Sequence, residues 1–238
     1  MTDLLYQRDA YLREFSATVT AVDADKGAVA LDRTAFYPSG GGQPCDLGQL
    51  LVDGRALPIT GVRRAGGEVW HAVQGDLPAV GDAVTGRLDW ERRHRLMRTH
   101  TALHVLCGVV WRAYGAQVTG GNMEPLRGRM DFEFASLERD LVDEIEARVN
   151  AEVTAERDVR VAILPREEAF RIPDLIRTKI NLLPEGITEV RTVEIVGLDL
   201  QADGGTHVAN TREVGAVRVV GYESKGKINK RIRIELPE

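Results

Sequence analysis

Cysteine is scarce in this sequence. Only Cys45 and Cys107 occur among 238 residues, so the chain can build neither a disulfide framework nor a zinc cluster of four cysteines. Any bound metal ion would therefore be held mostly by histidine and carboxylate side chains. Histidine is also rare, with five in the chain, so the positions of these residues carry information.

Long hydrophobic runs are absent as well. No apolar run approaches the roughly 20 residues that span a bilayer, and the start MTDLLYQRDA has neither the basic nor the apolar region of a signal peptide. The composition, 43% hydrophobic and 28% charged, is typical of a soluble globular protein. We therefore predict a cytoplasmic protein with no membrane partner.

Positive charge is in deficit overall. The net charge of -5 argues against a protein that coats nucleic acid unselectively, and we expect no role on DNA. Basic residues are nevertheless clustered in two short segments: Arg92, Arg93, Arg95 and Arg98, and then Lys225, Lys227, Lys230, Arg231 and Arg233. Such clusters are more often solvated faces of a helix or hairpin, and the alternative is contact with phosphates.

The sequence divides into two predicted domains of an α+β protein. From about residue 15 to 90, short alternating stretches are separated by Gly, Pro and Asp, which predicts a small β-barrel in an N-terminal domain, 1–90. The remainder, 91–238, predicts an α+β domain with two main helices and a mostly antiparallel sheet that ends in a hairpin.

Both predicted helices are amphipathic. The first has one face made by side chains at three- and four-residue steps and ends at Gly115: Leu96, His100, Leu103, Cys107, Val110 and Tyr114. Cys107 continues this apolar stripe and is predicted to lie in the core. The second is predicted to follow Ser136 as its N-cap, with a face of Leu137, Leu141, Ile145, Val149 and Val153.

Three of the five histidines fall in two short motifs. His100 and His104 lie four residues apart on the first predicted helix, so both rings project from one side and can share a divalent ion. A pair of satisfied core histidines is an equally good interpretation of this spacing alone. His207 follows two glycines in DGGTH, which starts at Asp203, and glycines allow backbone to approach a ligand closely.

A glycine-rich segment, TAFYPSGGGQPCDLG, extends from Thr34 to Gly48 within the predicted barrel. Three successive glycines are costly to order, so the run indicates close backbone contact, with a long surface turn as the alternative. It does not match a phosphate-binding loop, because no lysine follows and no helix begins. Thr34 and Gln43 are the polar side chains expected to face a bound substrate.

The motifs FYPSGGGQP, MRTHTALHVL and DGGTHVANT, taken together, resemble the editing domain of alanyl-tRNA synthetase and its free-standing relatives, the alanyl-tRNA editing proteins. They occur in the order of that family, and the resemblance extends from about Thr34 to Gly215. The chain has no segment long enough for the aminoacylation and tRNA-recognition domains of the synthetase. It therefore resembles the mid-sized free-standing form, in which a barrel-like domain precedes a zinc-containing editing domain.

The resemblance implies hydrolysis of the ester that joins serine or glycine to the tRNA for alanine. A synthetic site sized for alanine cannot strongly reject either amino acid, so a second, hydrolytic check is needed. Thr34 and Gln43 would contact the aminoacyl end as catalytic residues, and Gly41 and Gly42 would let it approach the backbone. The partner would be mischarged alanine tRNA.

The resemblance also implies one Zn²⁺ ion and its ligands. The family binds zinc with both histidines of HxxxH and with the Cys and His of CxxxH, which correspond here to His100, His104, Asp203 and His207. Aspartate thus stands where the family has cysteine, which puts zinc occupancy in question. Arg92, Arg93 and Arg95, just before the metal helix, are predicted to contact the tRNA backbone.

Two alternatives remain open from the sequence. Threonyl-tRNA synthetases have a related editing domain, so the chain could deacylate another tRNA, although SGGGQP favours the alanyl branch. The loss of the cysteine also allows a tRNA-binding protein with neither metal nor catalysis.

Overall fold

The computed structural model describes residues 1–178 and 186–238. They form two compact units, Met1–Arg95 and Leu96–Glu238. None of the helices within these described ranges combines the length and the apolar character that a membrane-spanning helix needs.

The first unit is built on a closed β-barrel, as predicted. Its strands are β1 Asp3–Leu4, β2 Glu14–Asp23, β3 Ala28–Leu31, β4 Arg33–Thr34, β5 Gly48–Val52, β6 Arg55–Ala65, β7 Glu68–Val73 and β8 Ala83–Leu88. Six of them close in the order β2-β3-β7-β6-β5-β8, and every neighbouring pair in the barrel is antiparallel. The short β1 and β4 form a separate parallel pair.

Side chains alternate between the inside and the outside of the barrel along its strands, and those that point inward fill its interior. Phe15, Ala17 and Val19 of β2 are buried while their neighbours Glu14, Ser16 and Thr18 are exposed, so one face of the strand packs inward. A Cβ atom at Gly86 of β8 would lie 2.4 Å from the ring of Phe15. Glycine at this position therefore makes room for an aromatic side chain in the core.

Helix α1, Trp90–Tyr114, follows the barrel. The side chain of Asp89 accepts a hydrogen bond from the backbone N–H of Arg92 at 3.1 Å, which caps the first turn. The helix ends before Gly115, whose φ of 63° lies in the left-handed region that favours glycine. Both the helix and its end match the prediction.

The second unit also contains β9 Val118–Glu124, β10 Arg127–Glu133, α2 Arg139–Thr154, β11 Val159–Pro165, α3 Arg166–Ala169, β12 Glu189–Ile195, β13 Asp199–Ala202, β14 Arg218–Ser224 and β15 Asn229–Glu235. They make two antiparallel sheets, β14-β15-β10-β9 and β11-β12-β13, where a single sheet was predicted. The C-terminal hairpin is confirmed. The alternation of Ile232, Ile234 and Leu236 predicts the buried face of its last strand, and all three side chains are buried.

Two local predictions need correction. The stretch TVEIVGLDL is strand-like in sequence and predicts a single strand, but the chain turns at Gly197, where φ is 75°, and the stretch belongs to both β12 and β13. Ser136 does not cap α2, which begins three residues later with Glu138 as its cap. The buried face of this helix starts at Val142, while Leu137 is buried outside the helix, so the apolar repeat was extended one turn too far.

Candidate metal centre and glycine-rich turn

The second unit brings together three of the four predicted metal ligands. His100 comes from α1, Asp203 follows directly after β13, and His207 lies in the loop beyond the two glycines. Their donor atoms all lie within 4.8 Å of one another. Oδ2 of Asp203 is 3.0 Å from Nε2 of His207 and 3.3 Å from Nε2 of His100.

These side chains are held in place by their surroundings. The rings of His100 and His207 stack with centroids 4.2 Å apart. Nδ1 of His207 lies 3.1 Å from Oγ1 of Thr101, and the backbone N–H of Gly205 donates to Oδ1 of Asp203 at 2.7 Å. A ligating imidazole binds a metal ion through the lone pair of one ring nitrogen and carries its proton on the other. In His207 the proton on Nδ1 can be donated to Oγ1 of Thr101, and this hydrogen bond fixes the tautomer that leaves the lone pair on Nε2.

The electrostatics favour unprotonated donors. Burial lowers the pKa of His207 to about 3, with the nearby His100 adding to the shift, and burial also lowers the pKa of His100. Burial acts to raise the pKa of Asp203, but His100 and His207 outweigh it and hold that pKa well below its usual range. At neutral pH the cluster therefore offers two neutral imidazoles and one carboxylate, and binding a cation would release no protons from them.

This cluster fits a zinc ion. Zinc bonds of about 2.0–2.1 Å to nitrogen or oxygen give a tetrahedron whose donor atoms are separated by about 3.3 Å. The two donor distances at Asp203, 3.0 and 3.3 Å, are close to that value. Cys107 is buried and does not belong to the group of donor atoms that lie within 4.8 Å of one another. It lies in the core, as predicted.

The fourth predicted ligand, His104, stands beside the cluster. Its ring makes an edge contact with that of His207 at a centroid distance of 5.4 Å, and its donor atoms fall outside the 4.8 Å group. Nε2 lies 3.4 Å from Oδ2 of the buried Asp199. Sequence reasoning missed Asp199; the available signal was a second aspartate four residues before Asp203.

The glycine-rich segment of the first unit forms a tight turn. Gly40 and Gln43 exchange two backbone hydrogen bonds of 3.1 and 2.9 Å, and the residues between them are Gly41 and Gly42. Their φ angles of 58° and 87° are both positive, as a type I′ turn requires. Gly41 is exposed and a Cβ atom there would meet nothing within 4 Å. The turn thus accounts for the glycines and leaves backbone open on its outer side.

Thr34 and Gln43 lie beneath the surface. Thr34 is fully buried; its hydroxyl lies 2.9 Å from Nε2 of His71 and accepts a hydrogen bond from the backbone N–H of Phe36 at 3.1 Å. Gln43 is 2% exposed. The sequence predicts that these two side chains face a bound substrate, but solvent does not reach them. Gly41, in contrast, is exposed to solvent.

The predicted basic patch divides into different roles. Arg93 is fully buried and its guanidinium binds Asp46, also fully buried, with further hydrogen bonds to the carbonyls of Ala10 and Ala35. Arg93 cannot contact tRNA in this position, so that prediction is corrected: its charge stabilises the first unit. Arg92 and Arg95 are partly exposed, and Arg95 pairs with Glu91 at 2.7 Å.

Comparison with known proteins assigns the chain to a family. Residues 190–233 match the threonyl and alanyl tRNA synthetase second additional domain, and residues 9–92 match class II (A) tRNA synthetases. The chain is 39% identical over 242 residues to alanyl-tRNA editing protein AlaX-M of Methanosarcina barkeri, covering 99% of each chain. It is 38% identical to AlaX-M of Saccharolobus solfataricus, over 98% of each. Alanine–tRNA ligase of Ignicoccus hospitalis is 36% identical over 92% of this chain and 24% of the ligase. The chain therefore belongs to the family of AlaX-M alanyl-tRNA editing proteins.

Proposed function

We propose that this protein is a trans-editing hydrolase that deacylates mischarged alanine tRNA by cleaving its seryl or glycyl ester. The observation that carries the proposal is the cluster of His100, Asp203 and His207 in a chain that belongs to an alanyl-tRNA editing family. Because charged tRNA is used in the cytoplasm, we expect the protein to act there.

The chemistry of the donor set supports one Zn²⁺ ion as cofactor. His100, Asp203 and His207 would hold it, with His104 as the fourth ligand. When bound, zinc would anchor the aminoacyl ester or polarise its carbonyl group. The chain's own contribution is to keep the imidazoles neutral by burial and Asp203 ionised, and to orient His207 through Thr101.

The remaining predicted residues have roles that follow from their exposure. Gly41 and Gly42 would let the aminoacyl end approach the backbone of the turn, and a Cβ atom at the exposed Gly41 would meet nothing within 4 Å. Thr34 and Gln43 would act on the ester as catalytic residues; both side chains are buried beneath the turn. Arg92 and Arg95 would contact tRNA phosphates, which do not specify sequence but position the substrate.

A deacylation assay tests this proposal. Purified protein is incubated with seryl-, glycyl- and alanyl-tRNA for alanine, and with seryl-tRNA for threonine as the matched control. We expect hydrolysis of a seryl or glycyl ester on alanine tRNA, with alanyl ester and threonine tRNA spared. Equal rates on seryl and alanyl esters would contradict the proposal, and preference for threonine tRNA would indicate a threonyl-type factor. Binding without hydrolysis would indicate the non-catalytic alternative.

A further inference from the structure

A buried arginine lies next to the ligand cluster. Arg191, on β12, is 8% exposed. Burial is the main cause of the lowered pKa of His100, and the positive charge of Arg191 is among the contributions that add to it. The guanidinium group is therefore close enough to the cluster to act on it electrostatically.

Arg191 binds both backbone polar groups of Asp203. Strands β12 and β13 pair with Thr192 opposite Ala202, and this pairing brings Arg191 and Asp203 next to each other. The backbone N–H of Asp203 donates to the carbonyl of Arg191 at 3.1 Å. The guanidinium of Arg191 donates from Nη1 to the carbonyl of Asp203 at 2.7 Å. The backbone of this candidate ligand is thus held on both sides by one residue.

Asp203 lies where the chain loses its regular support. Strand β13 ends at Ala202, and the two residues after Asp203 are Gly204 and Gly205. Glycine has the greatest backbone freedom of any residue, so a carboxylate at this point keeps one direction only if its own backbone is fixed. Contacts within the loop hold the side chain, since Oδ1 accepts from the N–H of Gly205 and Oδ2 lies beside His207. Arg191 holds the backbone.

The charge of Arg191 acts against metal binding. A guanidinium group stays protonated in proteins, so it carries a permanent positive charge. Like charges repel each other more strongly in a protein interior than in water, and a metal ion in the cluster would be a second cation close to the first. Any gain in metal affinity from Arg191 must therefore come from its hydrogen bond to Asp203. The two effects have opposite signs, so an experiment can separate them.

We propose that Arg191 is a positioning residue for Asp203. Its hydrogen bond fixes the peptide group that precedes the two glycines, and the Asp203 carboxylate consequently stays directed at His100 and His207. Residues that orient a metal ligand from behind contribute substantially to metal affinity. This inference rests on the metal site of the proposed function and extends it to a residue outside the ligand set.

Arg191→Met tests the inference on the full chain, because methionine is long and unbranched but has neither the donor nor the charge. Zinc affinity is measured by competition with a chelator, and the visible absorption of the Co²⁺-loaded protein reports the coordination geometry. We expect about 10- to 100-fold weaker zinc binding and a weaker tetrahedral Co²⁺ band. Arg157→Met is the matched control, since Arg157 donates in the same way to the carbonyl of Val196, just beyond the other end of β12, at 3.0 Å. It should change neither measurement.

A second variant keeps the charge and guards against misfolding. Arg191→Lys repels a cation as the wild type does, but its ammonium group does not reproduce the planar guanidinium. We expect it to bind zinc more weakly than the wild type, and it decides the question if circular dichroism shows that Arg191→Met is unfolded.

Several results would overturn the inference. Tighter zinc binding by Arg191→Met would mean that the charge outweighs the hydrogen bond. Unchanged affinity in the folded variants, an equal loss in Arg157→Met, or a wild type that binds no zinc would also contradict it. The deacylation assay is scored separately: a protein that binds zinc through this arrangement but hydrolyses no ester would refute the proposed hydrolase and leave the positioning role of Arg191 intact.

Discussion

Nε2 of His207 lies 3.0 Å from Oδ2 of Asp203, at the position where the resemblance to editing proteins leads one to expect a cysteine. The contact shows that the aspartate side chain is directed to the histidines. A carboxylate is a legitimate zinc ligand, with bonds of about 2.0–2.2 Å, but it is a harder donor than thiolate.

We therefore expect Asp203→Ala to lose zinc and Asp203→Cys to retain it more firmly than the wild type. Metal content is measured on protein purified without chelator and again after dialysis against one. Because a soft thiolate favours zinc over harder cations, the cysteine variant should also discriminate better against Mn²⁺. A wild type that holds no more zinc than Asp203→Ala would exclude the aspartate as a ligand.

Arg93→Ala should destabilise the protein strongly. The substitution leaves Asp46 buried with its charge uncompensated, and breaking a buried pair in this way costs about 3–5 kcal/mol. Urea unfolding measures the change. Arg95→Ala on the same helix is the matched control, since its partly exposed pair with Glu91 should contribute less than about 1 kcal/mol. Equal effects of the two substitutions would refute a special role for the buried pair.

Arg92→Ala combined with Arg95→Ala should weaken tRNA binding and reduce its dependence on salt. Each lost phosphate contact reduces the magnitude of the negative slope of log K against log salt concentration by roughly 0.7 to 0.9. Binding is measured over a range of salt concentrations, with Lys26→Ala as a control for the loss of an exposed cation on the same unit. An unchanged slope would assign the two arginines to a solvated helix face.

Stability should fall with pH below neutrality in part because of His71. Burial lowers the pKa of this barrel histidine from 6.5 to about 4. Between these values the unfolded chain binds a proton that the native state does not, so the stabilisation is complete above pH 6.5 and is lost as pH falls toward 4. The share of His71 is about 3 kcal/mol over this window.

The measurement is urea unfolding at several pH values, for wild type and His71→Gln. The glutamine variant keeps a polar group near Thr34 but cannot titrate, so its stability should change less between pH 6.5 and 4. Parallel pH profiles for the two proteins would mean that His71 is not the residue responsible.

Local patterns in the sequence are enough to predict much of the fold. Alternating apolar residues give the barrel strands, and a helical repeat that ends at Gly115 gives α1 with its correct end. The HxxxH and DGGTH spacings also identify His100, Asp203 and His207, which the fold brings together. In each case the signal depends on neighbours a few residues apart.

The features that were missed depend on distant partners. Arg93 has the sequence context of a surface arginine, and only the fold places it beside Asp46, 47 positions earlier in the chain. Asp199 reaches His104 because Gly108 allows close packing of β13 on α1, a contact that no periodicity reports. Periodicity tells which side of an element is buried but not what it packs against.

The order of strands in the barrel has a consequence for the nascent chain. Both β2 and β5 pair with β8, the last barrel strand to be synthesised. Until Leu88 has left the ribosome, these two strands keep unpaired edges, which are the parts of a sheet most prone to pair with other chains. The barrel therefore completes its hydrogen bonding only when its final strand arrives, and a chain that stalls earlier is at risk of aggregation.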